Sequence, residues 1–377
     1  MSRVCQLVIP FLLALASTQA QTPESWNRLG NYGETIGLDS NLCPPLDTAC
    51  LTRYFTEIVY GHTPRRMSYQ GAPELIDSAR IERLTQQFLA GADWRPLLDS
   101  LESKDTNYWL LKEYCWFLKE YCKRCLADDY VVYDLTVKQV YETLNTYRWI
   151  NRFGSGKFIV VNVPSATLRV VDSRGATTLH SRVVMGKTST KTPNFAALVP
   201  GIVLYPYWNV PRSITMKELL PKIRRNPAAV LDAQNLQIID AKGKVVDPAA
   251  IDWTTKTFPY RLRQSTGCDN ALGLIKFEVT SPYAIFLHDT NNRSVFARDN
   301  RFLSHGCIRV EEPVELANIL LGYTHFDDSY MDTCPIDASP QSLLLPKAVP
   351  LLVVYNLLDV DEEGVLRVYK DIYRQWQ

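Results

Sequence analysis

Residues 285–310 read IFLHDTNNRSVFARDNRFLSHGCIRV, and they hold two of the chain's five histidines with a cysteine set directly after a glycine, His305-Gly306-Cys307. Three chemistries compete for such a segment. A zinc site would draw on His288, His305 and Cys307, but structural zinc takes four ligands and no nearby CxxC or HxxxH supplies the fourth. A structural reading makes Cys307 half of a disulfide and His305 an ordinary surface residue. Nucleophilic catalysis makes Cys307 the attacking thiolate and a histidine its base. Pairing with an imidazole lowers a thiol from its usual pKa near ~8.5, which favours the third reading at neutral pH. Gly306 allows a sharp turn at the nucleophile and frees its amide, with that of Cys307, to face a developing oxyanion.

The text around this segment is mostly extended. After Gly154-Ser155-Gly156, the runs FIVVNVP, TLRVVD and HSRVVMG are β-branched and separated by turn residues, which predicts a meander of strands. Further strands are predicted at 201–206, 272–279, 283–288, 350–356 and 364–369. Residues 212–262 break the pattern: KELLPKIRRN and PAAVLDA have helical character, and QIIDAKGKVVD reads as a hairpin about Lys242-Gly243. That stretch is an insertion in the β domain. VELANILLG after Pro313 predicts a helix that stops at Gly322. Upstream, PELIDSARIERLTQQFLAGAD at 73–93 spaces Leu75, Ile81, Leu84 and Phe88 helically, with Glu74 and Asp77 in its first turn, and residues 51–60, 106–125 and 135–150 repeat the pattern. Residues 47–150 therefore read as an all-helical domain.

Length and composition agree with this division. A chain of 377 residues accommodates two or three domains, and 46% hydrophobic with 21% charged residues is ordinary soluble-globular usage. Lys plus Arg number 41 against 40 Asp plus Glu, a balance that removes the electrostatic case for a nucleic-acid partner. At the start, Arg3 precedes the apolar run LVIPFLLALA at 7–16 and the small or polar residues Ser17 to Ala20. This reads as a signal peptide, residues 1–20, cleaved after Ala20, and too short to span a bilayer. No later run is long enough to do so. Residues 21–46 are polar and turn-rich, with Gly30, Gly33, Gly37 and Pro44-Pro45, and are expected to form a poorly structured leader. Cys43 and Cys50 are spaced for a loop-closing disulfide, and Cys122 and Cys125 read as structural cysteines. Of nine cysteines, Cys5 leaves with the signal and Cys307 is reserved for chemistry; the remaining seven cannot all pair, and Cys268 is the expected free thiol.

His288, fifteen intervening residues and then Ser304-His305-Gly306-Cys307-Ile308 closely resemble the catalytic motif of the YkuD-type L,D-transpeptidases. NTYRWI at 145–150, KFIVVNVPSATLRVV at 157–171, PYWNVPRSI at 206–214, NALGLIKF at 270–277 and FLHDT at 286–290 are similar to the large two-domain branch of that family found in Gram-negative bacteria. LTRYFTEIVYGHTPRR at 51–66 is similar to the start of that branch's helical scaffold, so the likeness spans about 51–373.

The resemblance implies an α+β fold: a helical scaffold domain at 47–150 and a mainly-β, sandwich-like catalytic domain at 155–377, with 212–262 as an inserted helical lid. It implies Cys307 as nucleophile, His288 as general base oriented by a main-chain carbonyl, and the Gly306 and Cys307 amides as oxyanion donors. His305 takes a positioning role, Ser304 fills the motif's hydroxyl position, and Trp208 is a candidate wall of the donor groove. Arg309 stands where much of the wider family has Asn, and is set to orient the strand or meet a substrate carboxylate; a surface Arg paired with Glu311 or Glu312 fits equally. The implied reaction is acyl transfer from a peptidoglycan tetrapeptide, with no metal or organic cofactor, in the periplasm. The acceptor is a diaminopimelate amine, giving a 3→3 cross-link, or the lysine of an outer-membrane lipoprotein. With water as acceptor the enzyme is an L,D-carboxypeptidase. Rival readings are a cysteine endopeptidase of the wall and a non-enzymatic wall-binding scaffold. Carbapenems are expected to acylate Cys307.

Overall fold

The computed structural model describes residues 23–38, 47–121, 131–132, 135–154, 156–334 and 338–376. The stretch read as a signal peptide, with Cys43, Cys122 and Cys125, lies outside the described residues. The chain divides into two compact units: Met1–Val59 with Asp77–Glu102, and Tyr60–Ile76 with Ser103–Gln377. Among the described residues no helix is long and apolar enough to cross a membrane.

The first unit is helical. It comprises α1 (Pro23–Thr35), α2 (Thr48–Tyr60), α3 (Ser78–Leu89) and α4 (Arg95–Leu101). Its core gathers Leu29, Ile36, Phe55, Leu84, Phe88, Trp94 and Leu98, all buried, with the Phe55 and Phe88 rings in edge contact at 5.7 Å. Helix α1 corrects the expectation of an unstructured leader. Its glycines punctuate nothing; a Cβ at Gly33 would come within 1.8 Å of the Tyr54 hydroxyl, so a small residue lets the helix approach closely. Helix α3 starts later than the proline at 73 suggests. Asp77 is its cap, accepting a bond from the Arg80 amide at 3.0 Å, which satisfies an otherwise orphaned donor.

The second unit opens with β1 (Met67–Gln70), continues through α5 (Thr106–Tyr121), a short hairpin of β2 (Val131–Val132) and β3 (Leu135–Thr136), and α6 (Val137–Ile150). Strand β1 lies inside the stretch read as all-helical. The strands of the meander follow: β4 (Phe158–Asn162), β5 (Thr167–Val171), β6 (Thr177–Gly186) and β7 (Asn194–Leu204). Helices α5 and α6 belong to this unit because buried charge ties them to the meander. Arg169 on β5 pairs with Asp105 at 3.1 Å, at the head of α5, and its guanidinium also meets the Tyr147 hydroxyl on α6. Trp149, Ile150 and Phe153 share a core with Phe158, Val160 and Val171.

The insertion then runs β8 (Trp208–Asn209), α7 (Arg212–Ile214), a π-helical turn at Thr215–Leu219, α8 (Leu220–Ile223), α9 (Pro227–Ala233), β9 (Leu236–Ile239), β10 (Val245–Val246) and β11 (Arg261–Gln264). The expected helices and hairpin are present. The lid is not only helical, however: β10-β9-β11-β8 form a four-stranded antiparallel sheet, and Leu219, Leu220, Ile223, Leu231, Ile238 and Leu262 give it its own core.

After the lid come β12 (Ile275–Phe277), β13 (Leu287–His288), β14 (Phe302–Ser304), β15 (Ile308–Val310), α10 (Pro313–Leu321), β16 (Gln341–Val354), β17 (Leu358–Val360) and β18 (Leu366–Val368). The sheet order is β1-β7-β12-β13-β15-β6-β5-β4-β16, and β16 pairs again with β7. The sandwich-like expectation is thus realised as one sheet closed on itself between β7 and β16, with β1 left at an edge beside β7. His288 and Cys307 stand at its centre, on and beside the parallel pair β13 and β15.

Candidate active site

Cross-strand register places the chemistry. His288 on β13 is opposite Lys276 on β12 and opposite Arg309 on β15. Paired residues share a face of a sheet, and their neighbours along each strand point the other way. Ile275, Phe277, Leu287, Ile308 and Val310 are accordingly buried in the core, while Lys276, His288 and Arg309 form one row across three strands. Cys307 lies two residues before Arg309 and so joins that face.

His288 is only 4% exposed. Its Nδ1 is 2.5 Å from the carbonyl of Asp289; a carbonyl only accepts, so Nδ1 carries the proton and Nε2 is left as the basic atom. The Asp289 carboxylate is buried as well, and braces the site by accepting the Leu274 amide at 3.0 Å and an Arg293 N–H at 3.1 Å. Burial, aided by the positive charge of Arg309, pushes the imidazole down to about 3. Cys307 is half-buried, and its thiol faces the carbonyl of Ala284 at 3.8 Å. Burial raises the thiol above its ordinary range, opposed by the Phe286 amide, Lys276 and Arg309. The expected lowering of the thiol by its histidine is therefore corrected: both partners are neutral at rest, because neither charge is solvated in this pocket.

The loop that carries the thiol is tethered from the β6–β7 turn. Thr192 donates to the Gly306 carbonyl at 2.9 Å and accepts from the Gly186 amide at 3.0 Å, while Thr190 donates to the Ser304 carbonyl at 3.0 Å. Gly306 has φ +121, a conformation that L side chains rarely adopt, although an added Cβ would meet nothing closer than 3.8 Å. Conformation, rather than space, requires glycine there. The Gly306 amide does not point into the site as expected; it donates to Ser304 Oγ at 3.0 Å, and that hydroxyl donates on to the Cys307 carbonyl at 2.6 Å. Ser304 is thus a buried strut, and the Cys307 amide remains as the candidate oxyanion donor.

The other expected site residues are spread around this centre. His305 is exposed and reaches the lid, with Nε2 2.8 Å from Glu218 in the π-helical turn. Arg309 is half-buried and approaches Thr290 Oγ1 at 3.5 Å. It pairs with neither Glu311 nor Glu312; Glu311 is bound by Arg182 instead. Trp208 packs against the lid's core. Sequence reasoning missed Lys276, Asp289, Thr192 and Glu218. Only Lys276 left a clear trace, as the polar residue between two apolar ones in IKF. Among the described residues no group of three or more His, Cys, Asp and Glu side chains is gathered to hold a metal.

Cys268, expected to be free, is disulfide-bonded to Cys334 with Cα atoms 5.2 Å apart. The free thiols among the described residues are Cys307 and Cys115. Cys115 is buried on α5 and pushed up to about 12 by that burial, which makes it inert.

The site is thus a closed β sheet with a histidine on one strand and a Ser-His-Gly-Cys loop leading into the parallel strand beside it. Residues 156–334 match the YkuD family, the L,D-transpeptidase catalytic domain. A relative from Haemophilus influenzae, named "Putative L,D-transpeptidase", is 38% identical over 228 residues, which is 60% of this chain and 45% of the relative. The chain therefore spans less than half the length of that curated relative. Solved structures similar to part of the chain include an L,D-transpeptidase from Mycobacterium smegmatis, at 13% identity over 52% of this chain and 58% of that one, with TM-score 0.23. L,D-transpeptidase 1 of Mycobacterium tuberculosis matches at 13% identity over 52% and 61%, with TM-score 0.20.

Proposed function

We propose that this protein is an exported peptidoglycan L,D-transpeptidase working as a cysteine acyltransferase in the periplasm. The observation that supports the reading is that Cys307 leads directly into β15, the parallel neighbour of the strand carrying a buried His288, whose Nδ1 is held by a main-chain carbonyl. Cys307 attacks the carbonyl of the third residue of a tetrapeptide stem. The thiol proton passes to His288 Nε2 as the sulfur–carbon bond forms, and the imidazolium returns it to the departing D-Ala amine as the carbon–nitrogen bond breaks. In the second half His288 takes a proton from the acceptor amine, the new amide bond forms, and the leaving thiolate regains a proton. Because the resting pair is neutral, the proton moves with attack rather than before it. The Cys307 amide supports the oxyanion, a contribution of about 3–4 kcal/mol in comparable sites.

Mature protein incubated with purified disaccharide-tetrapeptide should give cross-linked dimers lacking one D-Ala, read by mass spectrometry. Tripeptide alone would make it an L,D-carboxypeptidase. The reading fails if Cys307→Ala retains the activity, or if the wild type makes neither product.

A further inference from the structure

Lys276 flanks His288 in the catalytic row, on the side away from Arg309, and has no assigned work. It is half-buried, its ammonium stands 3.9 Å over the face of Phe286, and it forms no ion pair among the described residues. Glu278 is the carboxylate that acts on it, and only at a distance; the Cys307 sulfur also lies within its electrostatic reach. A desolvated cation without a partner is costly in a pocket, and a ligand carboxylate would offset that cost.

The order of strands says which part of a substrate reaches it. The attacking sulfur is on the β15 side, the proton donor is on β13, and Lys276 is on β12, the next strand outward. In the acyl transfer set out above, the nitrogen that leaves must lie over His288 to collect its proton. Substituents on that nitrogen therefore continue toward β12, one strand spacing or about 4.8 Å further. The departing D-Ala carries its carboxylate on the very carbon attached to that nitrogen. The second half-reaction reverses the first through the same groups, so the attacking amine enters by the position the leaving one vacated.

We infer that Lys276 reads the carboxylate borne on the carbon next to the leaving or attacking nitrogen, and so selects acceptors that are α-amino carboxylates over simple alkylamines. The inference rests on the acyl-transfer reading of the site. It names the acceptor class: a free D-amino acid or the D-centre of diaminopimelate fits, whereas the side-chain amine of a protein lysine, which has no adjacent carboxylate, does not.

The test uses full mature protein, disaccharide-tetrapeptide as donor, and D-methionine or D-methioninamide as acceptor, with the exchanged product measured by mass spectrometry. The amide has the less basic amine and so more free base at neutral pH, which sets intrinsic reactivity against the expected preference. Wild type should prefer the acid by about tenfold or more in kcat/KM. Lys276→Met should bring the acid-to-amide ratio to near one through a raised KM for D-methionine, and Lys276→Arg should restore the preference. Equal use of acid and amide by the wild type overturns the inference without the variants, as does a preference that survives in Lys276→Met. Exchange with neither acceptor overturns this inference alone if dimers or tripeptide still form, and the acyl-transfer reading with it if they do not.

Discussion

Thr192→Val exchanges a hydroxyl for a methyl at a fully buried position, where Thr192 is 0% exposed. The lost oxygen serves two groups: it accepts from the Gly186 amide at 3.0 Å and donates to the Gly306 carbonyl at 2.9 Å. Each becomes a buried polar group without that partner, at about 1–3 kcal/mol apiece, with the carbonyl near the low end because its second lone pair tolerates neglect. The expected loss is about 2–4 kcal/mol, against a total of about 5–15 kcal/mol for a folded domain. In urea this moves the unfolding midpoint down by roughly 1–2 M, taking a slope of about 2 kcal/mol per molar. The same change releases Gly306, the residue before the thiol, from the β6–β7 turn. Turnover of disaccharide-tetrapeptide should therefore fall roughly ten- to a hundredfold at 25 °C, where the variant is still folded. Thr192→Ser keeps both bonds and loses one methyl, about 1 kcal/mol, with near-normal turnover. A valine variant that unfolds within 0.5 kcal/mol of wild type and turns over normally would refute the tether.

Two further outcomes follow from the charge states and the cross-link. Iodoacetamide should label Cys307 with a rate that climbs through a midpoint above ~8.5, because burial raises the thiol, and with no inflection near ~6.5, because the imidazole is neutral down to about 3; a rate already level between pH 6 and 7 would mean a resting thiolate–imidazolium pair. Replacing Cys268 and Cys334 by alanine opens a loop with a sequence separation of 66, which on the chain-entropy account costs about 4 kcal/mol; calorimetry showing an unchanged Tm would contradict a structural role for that bond.

Local pattern carried much of this molecule. The β-branched runs at 158–172 and 180–186 became β4, β5 and β6 because such side chains suit a pleated, buried surface whatever they pair with. The helix at Pro313–Leu321 ends at Gly322, in the left-handed conformation that glycine adopts most easily. Helix α1 was hidden for the opposite reason. Glycines there lower helical propensity, and only the packing of Gly33 on Tyr54 reveals why they are tolerated. The lid's sheet was hidden because β8 pairs with β11, more than fifty residues on, and strands of two to four residues have no period to detect.

The reactive residue types and their spacing were in the sequence itself: a histidine, fifteen residues, and Ser-His-Gly-Cys with a glycine that its positive φ demands. That much is local, since a turn and a nucleophile need only their neighbours in the chain. Tertiary structure alone decided how those residues are charged and held. Burial keeps His288 and Cys307 neutral, Ser304 rather than the oxyanion takes the Gly306 amide, Thr192 fastens the loop from more than a hundred residues away, and Lys276 joins the row by register. Solvation, long-range hydrogen bonding and strand register are properties of which segments meet, and those meetings arise only when the sheet closes.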